Sequence, residues 1–204
     1  GQLLVGEMNK PRIVRVMLEE VDGELQGACI PFIDGHPLGR GCNRMAWAPD
    51  GSLFIGQTKH TWAGGEGIQQ VVWNGKTPFE IQNMELTQHG FKFTFTKPIK
   101  RKIAEDRANW PFKRYFFEYR EAYGSPRSDE VNIEIRNIVV SQNEKVVEIE
   151  LAELKPWHIH EVKIENLKSQ TGEELTNNYI AYTLNRLLEE TPPDPLHIKK
   201  QEKN

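Results

Sequence analysis

Apolar residues in this chain recur every second position, and that period limits what it can fold into. Phe91, Phe93 and Phe95 alternate with Lys92, Thr94 and Thr96. Successive side chains of an extended strand point to opposite faces, so this run has one buried face and one wet face. Val147 and Ile149 alternate in the same way with Glu148 and Glu150. Between the alternating runs lie Asp22-Gly23, Pro49-Asp50-Gly51, Asn74-Gly75 and His89-Gly90, residue types that form tight turns between strands. The chain is therefore expected to be all-β, apart from one or two helical turns over 103–109.

The strands fall into three regions. Residues 1–76 read as short strands and turns: Leu3 to Met8, Arg12 to Glu19, Glu24 to Ile33, Asn43 to Ala48, Ser52 to Gln57 and Ile68 to Trp73. Within this region the chain repeats. Leu3-Leu-Val-Gly-Glu7 parallels Leu53-Phe-Ile-Gly-Gln57, and Arg12-Ile-Val-Arg-Val16 is set against Ile68-Gln-Gln-Val-Val72. The period of about 50 residues is that of a propeller blade. The first copy is read as starting at the second strand of its blade, and the second copy as stopping after its third. Two incomplete blades cannot close a ring, which needs at least about four. Residues 77–187 hold seven strand-like runs with turns at sandwich spacing, as expected of an immunoglobulin-like or fibronectin type III-like β-sandwich. Residues 188–204 are polar and proline-rich and read as a frayed tail.

Composition narrows the function. The chain has 204 residues, 38% of them hydrophobic, and no run approaches the ~18 apolar residues of a membrane helix. Its formal charge of −3 supplies no global field for nucleic acid. From Lys97 to Arg120, eight Lys or Arg stand against three acids, interleaved with Trp110, Phe112, Tyr115, Phe116, Phe117 and Tyr119. Stacking rings in a basic groove bind single-stranded nucleic acid. A strand with rings inside and cations outside gives the same text, and the acidic total favours the strand; no nucleic-acid partner is expected. The two cysteines, Cys29 and Cys42, lack metal-ligand spacing and are either one disulfide or two reduced thiols. No Cys-x-x-Cys-His haem motif occurs, nor a phosphate loop, Gly-x-Ser-x-Gly or His-Glu-x-x-His, so no catalytic residue is assigned. The chain opens directly into a strand, as expected of a processed chain or part of a longer one.

Three groups of residues are candidate sites. His60 and Trp62 lie in a Gly-rich loop, where the indole offers a sugar ring or quinone a stacking surface and the imidazole a hydrogen bond. An edge-covering loop aromatic is the competing reading. Arg44 is carried with them as a ligand-binding candidate. His158 and His160 have i,i+2 spacing, which on a strand places both rings on one face as a metal pair would need. No third ligand is evident nearby, and core histidines are the favoured reading.

Two longer patterns resemble a known family. Gly41-Cys-Asn-Arg-Met-Ala-Trp-Ala-Pro-Asp-Gly-Ser-Leu-Phe-Ile-Gly-Gln57, with Gly67-Ile-Gln-Gln-Val-Val-Trp73, resembles the end of a glucose/sorbosone-dehydrogenase-like propeller. Leu154-Lys-Pro-Trp-His-Ile-His-Glu-Val162, followed by Asn166 to Leu175, Tyr119 to Pro126 and Tyr182 to Arg186, resembles the terminal immunoglobulin-like domain of large bacterial proteins that join such a propeller to that domain and often to a cytochrome c. The resemblance implies a non-catalytic accessory or interaction module, exported to the periplasm or cell envelope. Its expected partners are another protein, a cytochrome c, or the missing N-terminal blades. It also implies that pyrroloquinoline quinone and calcium belong to a longer parent protein and not to this chain. Two other functions follow from the same residues. One is a share in a quinone-dependent sugar dehydrogenase whose active site lies elsewhere. The other is a carbohydrate-binding sandwich that uses Trp62, Trp110 or Trp157.

Overall fold

The computed structural model describes residues 1–58 and 65–189, with the backbone alone at Gly65 and Glu66. The chain is all-β, and its contacts divide it into two units. Gly1–Met17 and Cys29–Pro78 form the first; Leu18–Ala28 and everything from Phe79 onward form the second.

The strands form three antiparallel sheets, and the first unit holds one end of the seven-stranded sheet and the whole of a three-stranded one. One is built from β1 (Leu3–Gly6), β2 (Arg12–Val21) and β3 (Glu24–Asp34), the other from β4 (Cys42–Trp47), β5 (Leu53–Thr58) and β6 (Gly65–Val71). Both run in chain order as meanders, and no closed propeller is formed among the described residues. Ile13, Leu38, Cys42, Leu53 and Ile55 make the core, with Leu4, Phe32, Ile33, Met45 and Val71 packed against it. Both cysteines are free thiols, so of the two states open to them the chain holds the reduced one. Burial raises the pKa of each, which leaves them unreactive.

The ladders confirm the internal repeat and correct its register. Leu3 pairs with Val16 and Gly6 with Ile13. Leu53 pairs with Val71 and Gly56 with Ile68. Strand β1 is therefore equivalent to β5, and β2 to β6, with Ile13 matching Ile68. The sequence alignment set Arg12 against Ile68, one residue out. In a strand a one-residue slip exchanges the two faces, so this correction decides which side chains are equivalent. Strand β4 flanks β5 on one side, and β3 flanks β2 on the other. Each sheet thus lacks the strand that the other has.

The second unit is a β-sandwich. One sheet has the order β11 (Ile135–Val140), β12 (Val146–Leu151), β8 (Gly90–Phe95), β7 (Ile81–Thr87). The other has the order β10 (Arg127–Ile133), β9 (Phe112–Phe117), β13 (His158–Lys163), β14 (Tyr179–Leu184). Helix α1 (Arg101–Ala104) and a 3-10 turn at Arg107–Asn109 supply the short helical stretch expected between β8 and β9. The run read as one strand from Val131 to Val140 is two, because the chain crosses from one sheet to the other at Glu134. Ile133 and Ile135 are buried on either side of that crossing. The core is aromatic: Phe91 lies 4.9 Å from Tyr182 and 6.1 Å from Phe112, and Phe93 lies 5.2 Å from Trp110.

The sandwich also takes in the tip of the β2–β3 hairpin, which the sequence placed wholly in the first region. Asp22 and Gly23 both take positive φ, 49° and 74°, the backbone that a two-residue hairpin turn needs. Strand β3 then lies beside β14. Polar contacts hold the tip. Gln26 Nε2 donates to Tyr182 Oη at 2.9 Å and to the Arg186 carbonyl at 3.0 Å, while its Oε1 accepts from the amides of Asn185 and Arg186 at 2.9 and 2.7 Å. Tyr182 Oη donates to Glu19 Oε1 at 2.6 Å, and the same oxygen accepts from the Leu86 amide at 2.8 Å. Arg186 Nε reaches Glu24 at 2.8 Å.

Gln26→Ala leaves two backbone amides and a tyrosine hydroxyl short of a partner in a buried place. It should cost about 3 kcal/mol of sandwich stability, read as a lower urea midpoint by tryptophan fluorescence. An unchanged midpoint would mean that the tip rests on the sandwich without supporting it.

Candidate functional site

Strands packed on both faces read as continuous apolar runs, and β1 and β5 open with such runs, Leu3-Leu-Val5 and Leu53-Phe-Ile55. Alternation assigns each residue to a face. In the first sheet Leu4 and Ile13 face the core, whereas Leu3, Val5, Val14 and Val16 face away. Leu3 is 53% exposed and Val5 49%. In the second sheet Leu53 and Ile55 face the core, whereas Ala46, Phe54 and Ile68 face away. Phe54 is 40% exposed and Ile68 74%. Both outer faces therefore carry apolar side chains in water.

The repeat relates the two faces. Leu3 and Val5 are equivalent to Leu53 and Ile55, which are 2% and 0% exposed. Leu4 and Ile13 are equivalent to Phe54 and Ile68, and Ile13 is 0% exposed. Each uncovered side chain thus has a twin that is covered inside the same unit. The two sheets are stacked in one sense, and both ends of the stack carry exposed apolar side chains among the described residues. A scattered exposed leucine means little, but contiguous apolar faces mark interaction sites.

Of the residues singled out from sequence, Arg44 lies on the outer face of β4, opposite Gly56. Its Nη1 donates to the carbonyl and to Oδ1 of Asn43, both at 3.0 Å. His60 and Trp62 lie outside the described residues. Of the other two tryptophans proposed to stack on sugar, one is buried and one is half-buried. Trp110 is 1% exposed, sits against Phe93 and donates Nε1–H to the Ala104 carbonyl at 2.8 Å. Trp157 is half-buried, with the Arg186 guanidinium 5.4 Å from its ring centre. The alternating rings and cations that suggested a basic groove are a packed strand: Phe112 and Tyr115 are buried, and Lys113 pairs with Glu130 at 3.2 Å.

His158 and His160 share a face, as their spacing requires, but it is the core face. His158 Nδ1 lies 2.9 Å from the Pro156 carbonyl and its Nε2 lies 3.1 Å from Asp129 Oδ2. Asp129 also bonds Arg114 and Lys155. Lys155 first, then Arg114 and His158, hold its carboxyl well below the usual carboxylate range. On the opposite face Arg127 forks onto Glu161 at 2.8 and 2.9 Å and stacks 4.0 Å over Tyr115, while Tyr179 Oη donates to Glu161 at 2.7 Å. Burial pushes the Glu161 carboxyl up, and the bonds from Tyr179 and Arg127 outweigh it. These satisfied networks brace β9, β10 and β13. Among the described residues no cluster of three or more His, Cys, Asp or Glu is arranged to hold a metal, and no helix is long and apolar enough to cross a membrane.

No protein-family model and no curated protein matches the sequence. Among solved structures, the crystal structure of the S-layer protein rSbsC(31-844) is similar at 16% identity and a TM-score of 0.38. The match covers 58% of this chain and 15% of that one.

His160 is fully buried, 5.7 Å from the Phe91 ring, and accepts the Lys155 amide at 3.4 Å. Burial first, and the neighbouring His158 second, push its pKa down to about 3 from an ordinary 6.5. Between those values the unfolded chain binds a proton that the folded chain refuses, so stability falls as pH drops through that window. The depressed carboxylates Asp129 and Glu161 add their loss only lower, below the ordinary carboxylate range. His160→Phe should flatten the slope between about pH 6.5 and 4.5, measured by urea denaturation, while leaving the steeper acid limb. An identical slope in both proteins would remove His160 from the account.

Proposed function

We propose that this chain is a non-catalytic interaction module, the C-terminal part of a sugar-dehydrogenase-like propeller protein, whose work is docking. The observation that carries this reading is the pair of uncovered apolar faces, Leu3 with Val5 and Phe54 with Ile68, each equivalent to a face already buried within the first unit. An apolar sheet face left in water forgoes about 25 cal/mol for every Å² that a partner would cover. Further blades of the propeller, or a partner subunit such as a cytochrome c, would supply that cover at the cell envelope. The ordered resemblance of residues 41–57 and 67–73 to a propeller's end supports the blades. The sandwich contributes a braced body that carries the hairpin and no chemistry of its own.

A photo-cross-linking amino acid at Ile68 or Val5, introduced into the protein in its source cells, tests this. Both positions should give discrete cross-linked products, well above those from Lys76 in the exposed turn after β6. Yields at all three positions no different from one another would sink the docking reading.

A further inference from the structure

Gly56 stands in the middle of β5, where nothing among the described residues calls for a glycine. Among the described residues a side chain there would meet only the Arg44 Cβ at 3.7 Å and the Arg44 carbonyl at 3.8 Å, ordinary van der Waals contact. Glycine weakens a strand because it loses more freedom on folding and has no side chain to pack, and inside a strand it often marks the close approach of another backbone. Its equivalent, Gly6, shows what such a glycine is for. A Cβ on Gly6 would lie 2.1 Å from the Cys42 carbonyl oxygen, because β4 of the next sheet begins directly against β1. The Cys42 amide donates to the Glu7 carbonyl at 3.1 Å and fixes that approach.

The surroundings repeat as well. Gly6 pairs with Ile13, and Gly56 pairs with Ile68. Ile13 is covered by the sheet that reaches Gly6, whereas Ile68 is 74% exposed. Apolar face and bare backbone thus recur together, once filled and once open.

Building on the docking reading, we infer that the occupant of the Phe54–Ile68 face is another antiparallel sheet of this same repeat, whose first strand brings its backbone against Gly56 as β4 brings Cys42 against Gly6. The occupant is a sheet with a strand in the place of β4, which the described β1-β2-β3 sheet does not show. It is not a lipid or a glycan, since neither needs a strand stripped of its Cβ. Arg44, opposite Gly56 on the same face, lies beside the crossing.

The test uses Gly56→Val in the full chain, with the photo-cross-linker at Ile68. Valine suits an open strand, so the purified variant should melt at or above the wild-type temperature. In source cells its cross-link should fall at least tenfold, and the wild-type product should map to a peptide of alternating apolar and polar residues from outside residues 1–204. A Gly56→Val cross-link as strong as wild type overturns the inference, as does a product that maps to a second copy of this chain or contains no peptide. The absence of any wild-type cross-link at Ile68 instead removes the docking reading beneath it.

Discussion

The first unit depends on one constraint: strands with apolar side chains on both faces must be covered on both faces. The core formed by Ile13, Leu53 and Ile55 covers one face of each sheet. Packing the two sheets together cannot cover the others, because the repeat stacks them in one sense instead of turning them face to face. A two-fold arrangement would have buried the same face of each sheet and left two like faces outside. Here unlike faces meet, and unlike faces remain. Such an arrangement grows until it closes or meets a partner.

The second unit solves its own covering problem. Its aromatic core is bordered by polar side chains that pair with one another, above all Gln26 and Glu19 from the hairpin tip with Tyr182 and Arg186. Residues about 160 positions apart are thereby joined by part-buried hydrogen bonds. Burial and the Glu19 carboxylate raise the Tyr182 pKa, so the hydroxyl stays a donor. The charged groups around Asp129 and Glu161 are braces of the same kind, each carboxylate held by cations, a histidine or a tyrosine hydroxyl.

The strands were legible in the sequence wherever one face is wet, because alternation then shows: Phe91 to Thr96 and Val147 to Glu150 are plain. The repeat was legible through Leu3-Leu-Val-Gly and Leu53-Phe-Ile-Gly. Its register was not, since two-sided apolar strands tolerate a one-residue slip in text that the ladder does not tolerate in space. The hairpin tip escaped notice because Glu19, Glu24 and Gln26 look like solvent-facing residues until their distant partners are known. The sheet switch at Glu134 was hidden for a related reason: a run buried on alternate residues reads the same whether or not it changes sheets. The outer faces had a signal, the unbroken apolar text of Leu3 to Val5 and Leu53 to Ile55. That signal reports cover on two sides without saying which side this chain supplies.

Hydroxyl-radical footprinting tests the central claim directly, comparing the purified chain with the same protein in its source cells. Leu3, Val5, Phe54 and Ile68 should be readily oxidised in the purified chain and strongly protected in the cells, with Leu25 and Tyr123 equally reactive in both. Equal oxidation of all six residues in the two settings would show that the outer faces meet only water, and would contradict the account.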